Sequence, residues 1–102
     1  MNQQSYILEV AIFTVKEQFV GNMPELRAGL REALKGFAGL LELKAYSPTQ
    51  NDRVFADLAK WDSLESAQAA AKAFENGDER FLPYMEAIED LKYMGHFAPE
   101  IA

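Results

Sequence analysis

The sequence predicts an α+β domain: a four-stranded antiparallel sheet of split βαβ type, with helices on one face. Three observations predict it. Strand-like and helix-like apolar patterns follow one another as strand, helix, strand, strand, helix with a short extra helix, strand. The strands are apolar on both parities, so both sheet faces need cover, and a second copy of the chain is the simplest source for the face the helices leave open. The 102 residues, 49% hydrophobic with 7 Phe, 4 Tyr and 1 Trp, supply one packed core over residues 1–102 and too little for two domains.

Residues 6–15, Y-I-L-E-V-A-I-F-T-V, are rich in β-branched and aromatic types and of strand length. Tyr6, Leu8, Val10 and Ile12 point to one face; Ile7, Ala11 and Phe13 point to the other, with Glu9 among them. Asn22-Met23-Pro24-Glu25 then reads as a helix start, with Asn22 as cap, Pro24 in the first turn and Glu25 closing a variant capping box. Leu26, Leu30, Ala33, Leu34 and Phe37 form its apolar stripe, and Gly36 and Gly39 offer the stop.

Residues 40–46 and 53–61 read as two strands joined by the polar hairpin loop S-P-T-Q-N-D. In the second, Val54, Ala56 and Leu58 alternate with Phe55, Asp57, Ala59 and Trp61. A helix begins at Asp62-Ser63-Leu64-Glu65, either Asp62 or Ser63 capping and Glu65 placed to close a box, and Gly77 ends it. Leu64, Ala67, Ala71 and Phe74 form a narrow stripe whose alanines permit close approach to a sheet. From Asp78, Phe81, Leu82, Met85 and Ile88 recur at helical spacing, with Pro83 tolerated near the start. Residues 91–97 read as the last strand.

The charge is unevenly spread. Residues 1–51 carry five acids and five bases, residues 52–102 eleven acids and five bases, which places the whole net charge of -6 in the second half. Much of it falls between Glu75 and Asp90, as expected of a solvated helix face. An overall negative field argues against nucleic acid and against an anionic membrane as partners. There is no Cys, no basic leader at the start, and no apolar stretch near the ~18 residues of a membrane span, so a cytoplasmic protein is expected.

No phosphate-cradling glycine loop, nucleophile elbow or zinc-binding helix motif occurs. With 1 His and no Cys, no metal site is expected. The residues that stand out are Glu9, Asp57, Trp61 and His96, all on strands. Asp57 and Trp61, four apart, share a face. A carboxylate at Glu9 among apolar neighbours is costly unless partnered or wet, and burial should raise its pKa. If these faces coincide, two acids, an imidazole and an indole line one cavity between sheet and helices. Each has a plainer reading: Trp61 as a core aromatic, Asp57 bonded to a helix terminus or backbone group, Glu9 paired across a dimer interface, His96 as a structural residue.

The stretch F-A-D-L-A-K-W-D-S-L-E-S-A, residues 55–67, followed by an alanine-rich helix and the F-x-x-Y of Phe81 and Tyr84, resembles the antibiotic biosynthesis monooxygenase family of the dimeric α+β barrel superfamily. The resemblance implies a ferredoxin-like fold, a homodimer with sheets apposed into a barrel, and a substrate pocket between each sheet and its own helices. In quinone-forming members that use no cofactor, an Asn and a Trp four apart on the third strand bind a polycyclic phenol. Asp57 and Trp61 stand at the matching positions, and Asp in place of Asn offers a base instead of an amide. The haem-degrading relatives use a His in the second helical region, where this sequence has none, so haem degradation is disfavoured.

Two readings follow. In the first, the chain is a monooxygenase or isomerase-like catalyst acting without a cofactor on a small aromatic or enolisable substrate. Glu9 or Asp57 removes a proton, His96 shares it, and Trp61, Phe55, Phe81, Tyr84 and Met85 bind the substrate. In the second, it is a non-catalytic dimeric barrel binding a small apolar ligand, which a pocket filled by Phe55, Phe81, Tyr84 and Met85 favours.

Overall fold

In the computed structural model, which describes residues 5–100, β1 (Ile7–Val15) runs through the middle of the sheet. The remaining strands are β2 (Leu40–Tyr46), β3 (Val54–Trp61) and β4 (Ile88–Phe97), in the order β2-β3-β1-β4, all antiparallel. The helices are α1 (Met23–Leu34), α2 (Leu64–Glu75) and α3 (Leu82–Ala87), with 3-10 turns at Glu17–Asn22 and Glu79–Phe81. This is the predicted α+β ferredoxin-like architecture. The leader reading of residues 1–4, like the last two residues, lies outside the described residues.

Register decides which side chains face the helices. Ala11 pairs with Asp57 on one side and Met94 on the other, and Glu9 pairs with Ala59 and His96. Cross-strand partners share a face, so Glu9, Ala11 and Phe13 look the same way as Phe55, Asp57, Ala59 and Trp61. That side carries the core: Phe13, Val15, Phe55, Trp61, Phe81 and Tyr84 are buried against α1, α2 and α3. The opposite face carries Leu8, Val10 and Ile12 beside Phe97, Leu58 and Tyr93. It is half-exposed, with Tyr93 and Phe97 each 46% accessible.

Several local expectations change. Asn22 makes no side-chain cap, because the 3-10 turn runs directly into α1 and leaves Asn22 with helical dihedrals (φ -93°, ψ -1°) instead of the extended backbone of a capping residue, while Pro24 has no N–H to offer. At α2 the cap is Ser63, whose hydroxyl accepts from the Ser66 N–H at 3.1 Å; Ser66, not Glu65, occupies the third helical position. Leu64 is on the outside of α2, and Ala67 and Ala70 are the buried alanines. Ile88 belongs to β4, not to the last helix: its backbone is already extended, and it pairs with Val15 beyond two irregularities in the β1–β4 register.

Two glycines take positive φ, and only Gly77 stops a helix. After α2, Gly77 at φ 75° lets its N–H and that of Asp78 bond back to the Phe74 and Ala73 carbonyls, a Schellman turn. Gly39, at φ 96°, receives the Asp62 N–H on its carbonyl at 2.8 Å. A Cβ there would lie 2.4 Å from Asp62 Oδ1 and 2.5 Å from Ser66 Oγ. Gly39→Ala therefore combines backbone strain with displacement of the α2 cap and is expected to cost about 2–3 kcal/mol. Urea unfolding checks this; a change below the measurement error would contradict the close approach.

Candidate active site

Small side chains on two facing layers open a cavity between the sheet and the helices. Ala11 and Ala59 leave the middle of β1 and β3 low, Ala70 and Ala71 do the same on α2, and about 140 Å³ remains between them. Phe13, Leu30, Leu34 and Phe81 wall it with hydrocarbon, and Glu75, Leu91 and Met94, all exposed, mark its open side. The volume is close to the roughly 150 Å³ of an engineered apolar cavity that takes up benzene.

Glu9 is one polar pole. Ala11 follows it on the same face of β1 and Ala59 pairs with it on β3, so on that side small side chains leave the space in front of it open. The Trp61 indole, diagonal to it across the ladder, donates Nε1–H to Glu9 Oε1 at 2.8 Å. Among the described residues no hydrogen bond is given to the second oxygen. Burial raises the carboxyl pKa above its ordinary 4.5; the indole hydrogen bond and His96 pull it back, and the negative charge of Asp57 adds to the rise.

His96 pairs with Glu9 from the neighbouring strand on the same face but does not line the cavity. Its Nε2 is 3.8 Å from Glu9 Oε1, too long for a hydrogen bond, and has no hydrogen-bond partner among the described residues.

Asp57 is the second pole, and it is fully engaged. Arg27 Nη2 donates to Oδ1 at 2.9 Å and the Tyr84 hydroxyl donates to Oδ2 at 2.5 Å. Burial first, then the adjacent Asp57 charge, push the Tyr84 hydroxyl far above the ordinary phenol range. Arg27 also donates to the Tyr46 and Ala56 carbonyls and lies over the Phe55 ring. With both oxygens committed, Asp57 is placed to hold Tyr84 and anchor α1 to the sheet. Of the two acids the sequence offers as a base, Glu9 is the one with an oxygen that accepts no hydrogen bond among the described residues.

Two of the aromatic and apolar candidates lie elsewhere. Phe81 and Tyr84 line the cavity with Trp61. Phe55 is packed on Phe13 beneath the Arg27 guanidinium, further along the same face of β3, and Met85 packs against the core off the cavity. Both are thus core residues by position: parity placed Phe55 on the right face but could not say how far along it the cavity extends. Arg27, 9% exposed, was not singled out. Its signal was its place between Met23 and Leu30 on the buried side of α1, a position where a charge demands a partner. No group of three or more His, Asp or Glu side chains able to hold a metal ion occurs among the described residues, nor is any helix long and apolar enough to cross a membrane.

No protein-family model matches the sequence, and a search of curated proteins finds no match. Solved structures do match. The chain is similar to a monooxygenase, ActVA-Orf6 of Streptomyces coelicolor, solved with nanaomycin D (17% identity, TM-score 0.70, covering 99% of this chain and 93% of that one). It is similar also to SnoaB, a cofactor-independent oxygenase from Streptomyces nogalater (17% identity, TM-score 0.64, 94% and 92% covered). A conserved protein from Methanosarcina mazei aligns at 19% identity and TM-score 0.69, over 97% and 95% of the two chains. At these identities the likeness is one of architecture, and the chain carries the ferredoxin-like α+β fold of the antibiotic biosynthesis monooxygenase-like proteins.

Proposed function

We propose that the cavity is an active site where Glu9 takes a proton from a small aromatic or enolisable substrate and the resulting carbanion reacts with oxygen without a cofactor. The observation that carries this reading is a carboxylate of raised pKa facing an apolar cavity with one oxygen free. Such a group is a stronger base than a solvated carboxylate and lies closer to the operating pH. Trp61 fixes the carboxylate and offers a ring face for stacking. His96 supports the charge from the neighbouring strand.

The step balances. A methylene activated by a neighbouring hydroxyarene gives one proton to Glu9, and its electron pair forms a C–O bond to oxygen. The peroxide takes that proton back, loses the second methylene hydrogen with the outer oxygen as water, and leaves a carbonyl.

Oxygen uptake with anthrone-like phenols tests the full reaction, and deuterium exchange into the same substrate under nitrogen tests proton abstraction alone. Uptake equal to product formed supports the oxygenase; exchange without uptake favours an isomerase-like catalyst. Absence of both overturns the catalytic reading. It would favour a non-catalytic binder of small apolar ligands, for which the largely hydrocarbon wall speaks.

A homodimer through the open sheet face is part of the same reading. Val10 and Leu58 pair at its centre and Tyr93 and Phe97 rings sit 6.3 Å apart at its β4 side, a contiguous apolar surface that a second copy would cover. Sedimentation at micromolar concentration should give a dimer, and Val10→Glu, which places a charge at the centre of that face, a folded monomer. A wild-type monomer would contradict it.

A further inference from the structure

We propose that the cavity selects ligands that bring hydrogen-bond donors, so that it holds a hydroxyarene or enol and rejects the corresponding ketone, quinone or carboxylate. This rests on the reading of the cavity as a ligand site and extends it to the ligand's chemistry.

The polar side chains around the cavity are Glu9, Asp57, Trp61, Glu75 and Tyr84. Three are carboxylates, which accept. The Trp61 N–H is already given to Glu9 and the Tyr84 O–H to Asp57, so Tyr84 presents only its oxygen's remaining acceptor capacity. No Lys, Arg, His, Ser, Thr, Asn or Gln lines the cavity among the described residues. Arg27 stands behind Asp57, outside the lining. The backbone of β1 and β3 offers no donor either, because both strands lie inside the sheet with a strand on each side, and their N–H groups belong to the ladders.

A ligand carbonyl would therefore lose its water and find nothing to replace it, and a ligand carboxylate would meet carboxylates of the same charge. A ligand hydroxyl finds Glu9 Oε2 or Tyr84 Oη. In the reaction proposed above, the hydroxyl is kept and the methylene becomes a carbonyl, so the product gains an acceptor that the cavity cannot pair and is held more weakly than the substrate.

Calorimetric titration of the whole chain at pH 7.5 with 2-naphthol, 2-methoxynaphthalene, 1,4-naphthoquinone and 2-naphthoate tests this. The naphthol is expected to bind about 10- to 100-fold tighter than its ether or the quinone, the range that follows from leaving one buried polar group unpaired. The naphthoate is expected to show no binding. In Glu9→Gln the amide supplies N–H donors, and the quinone should close to within about threefold of the naphthol. Equal or tighter binding of quinone or naphthoate by the wild type overturns the proposal, as does binding of none of the four. Donor selectivity without proton exchange or oxygen uptake would sink the catalytic reading and leave this one standing. Uptake without donor selectivity would do the reverse.

Discussion

Asp57→Ala is expected to lower the unfolding free energy by about 3–5 kcal/mol, the loss typical of removing one member of a buried ion pair. The pair is dry: the Arg27 and Asp57 side chains are only 11% and 10% accessible. Without Asp57 the guanidinium would keep the Tyr46 and Ala56 carbonyls but lose the carboxylate, and its Nε already lacks a partner among the described residues. Tyr84 would lose the acceptor of its hydroxyl in the same step. Against a total stability of roughly 5–15 kcal/mol for a domain, such a loss leaves little margin. Asp57→Asn keeps an acceptor for one of the two donors and should cost about half as much. The double variant Arg27→Met with Asp57→Leu removes both charges and should recover most of the loss. Urea unfolding of the four proteins decides it. An Asp57→Ala cost below about 1 kcal/mol would mean that water reaches the pair, and the anchoring role would be lost.

How much of this was legible in the sequence depended on range. The Ser63 cap, the Gly77 stop, the β3 alternation and the central strand all rest on residues within a few positions of each other, and local chemistry fixes them. The turn at Glu17–Asn22 did not announce itself, because E-Q-F-V-G-N is too short to show a period. Ile88 was ambiguous for a different reason: it continues the helical spacing of Phe81 and Met85, but backbone pairing with Val15 claims it for the sheet. At the site, Glu9, Asp57 and Trp61 were visible as polar or indole side chains among apolar neighbours; strand parity put Asp57 and Trp61 on one face, and the β1–β3 register was needed to add Glu9 to it. The Arg27–Asp57 pair spans 30 positions and needed the packing of α1 over β3 to be known. The position of His96 needed the strand order, since only a β4 neighbouring β1 puts it opposite Glu9. The cavity itself comes from absences, alanines facing alanines, and those carry no chemical signal along the chain.

Glu9→Gln is expected to move activity and stability in opposite directions. Gln keeps the shape and can still accept the Trp61 N–H through its amide oxygen, but it cannot take a proton, so kcat should fall by about 10²–10⁴, the usual contribution of a general base. Burial is the main cause of the raised Glu9 pKa, which means the folded protein disfavours the ionised form relative to the unfolded chain. For a carboxyl raised in this way, the stabilising contribution is present below the unfolded pKa near 4.5 and is lost as pH rises through the folded value. Wild type is thus penalised at neutral pH and Gln is not. Glu9→Gln should melt a few degrees above wild type at pH 7, the gap closing as pH falls toward 4. The wild-type rate should have the opposite dependence, rising with pH as Glu9 ionises, with its midpoint above the ordinary carboxylate range. A variant that is inactive and less stable at pH 7 would show that Glu9 serves the packing around Trp61. One that is more stable yet fully active would remove Glu9 from the chemistry. Only a loss of rate joined to a gain of stability fits a carboxylate kept buried for its basicity.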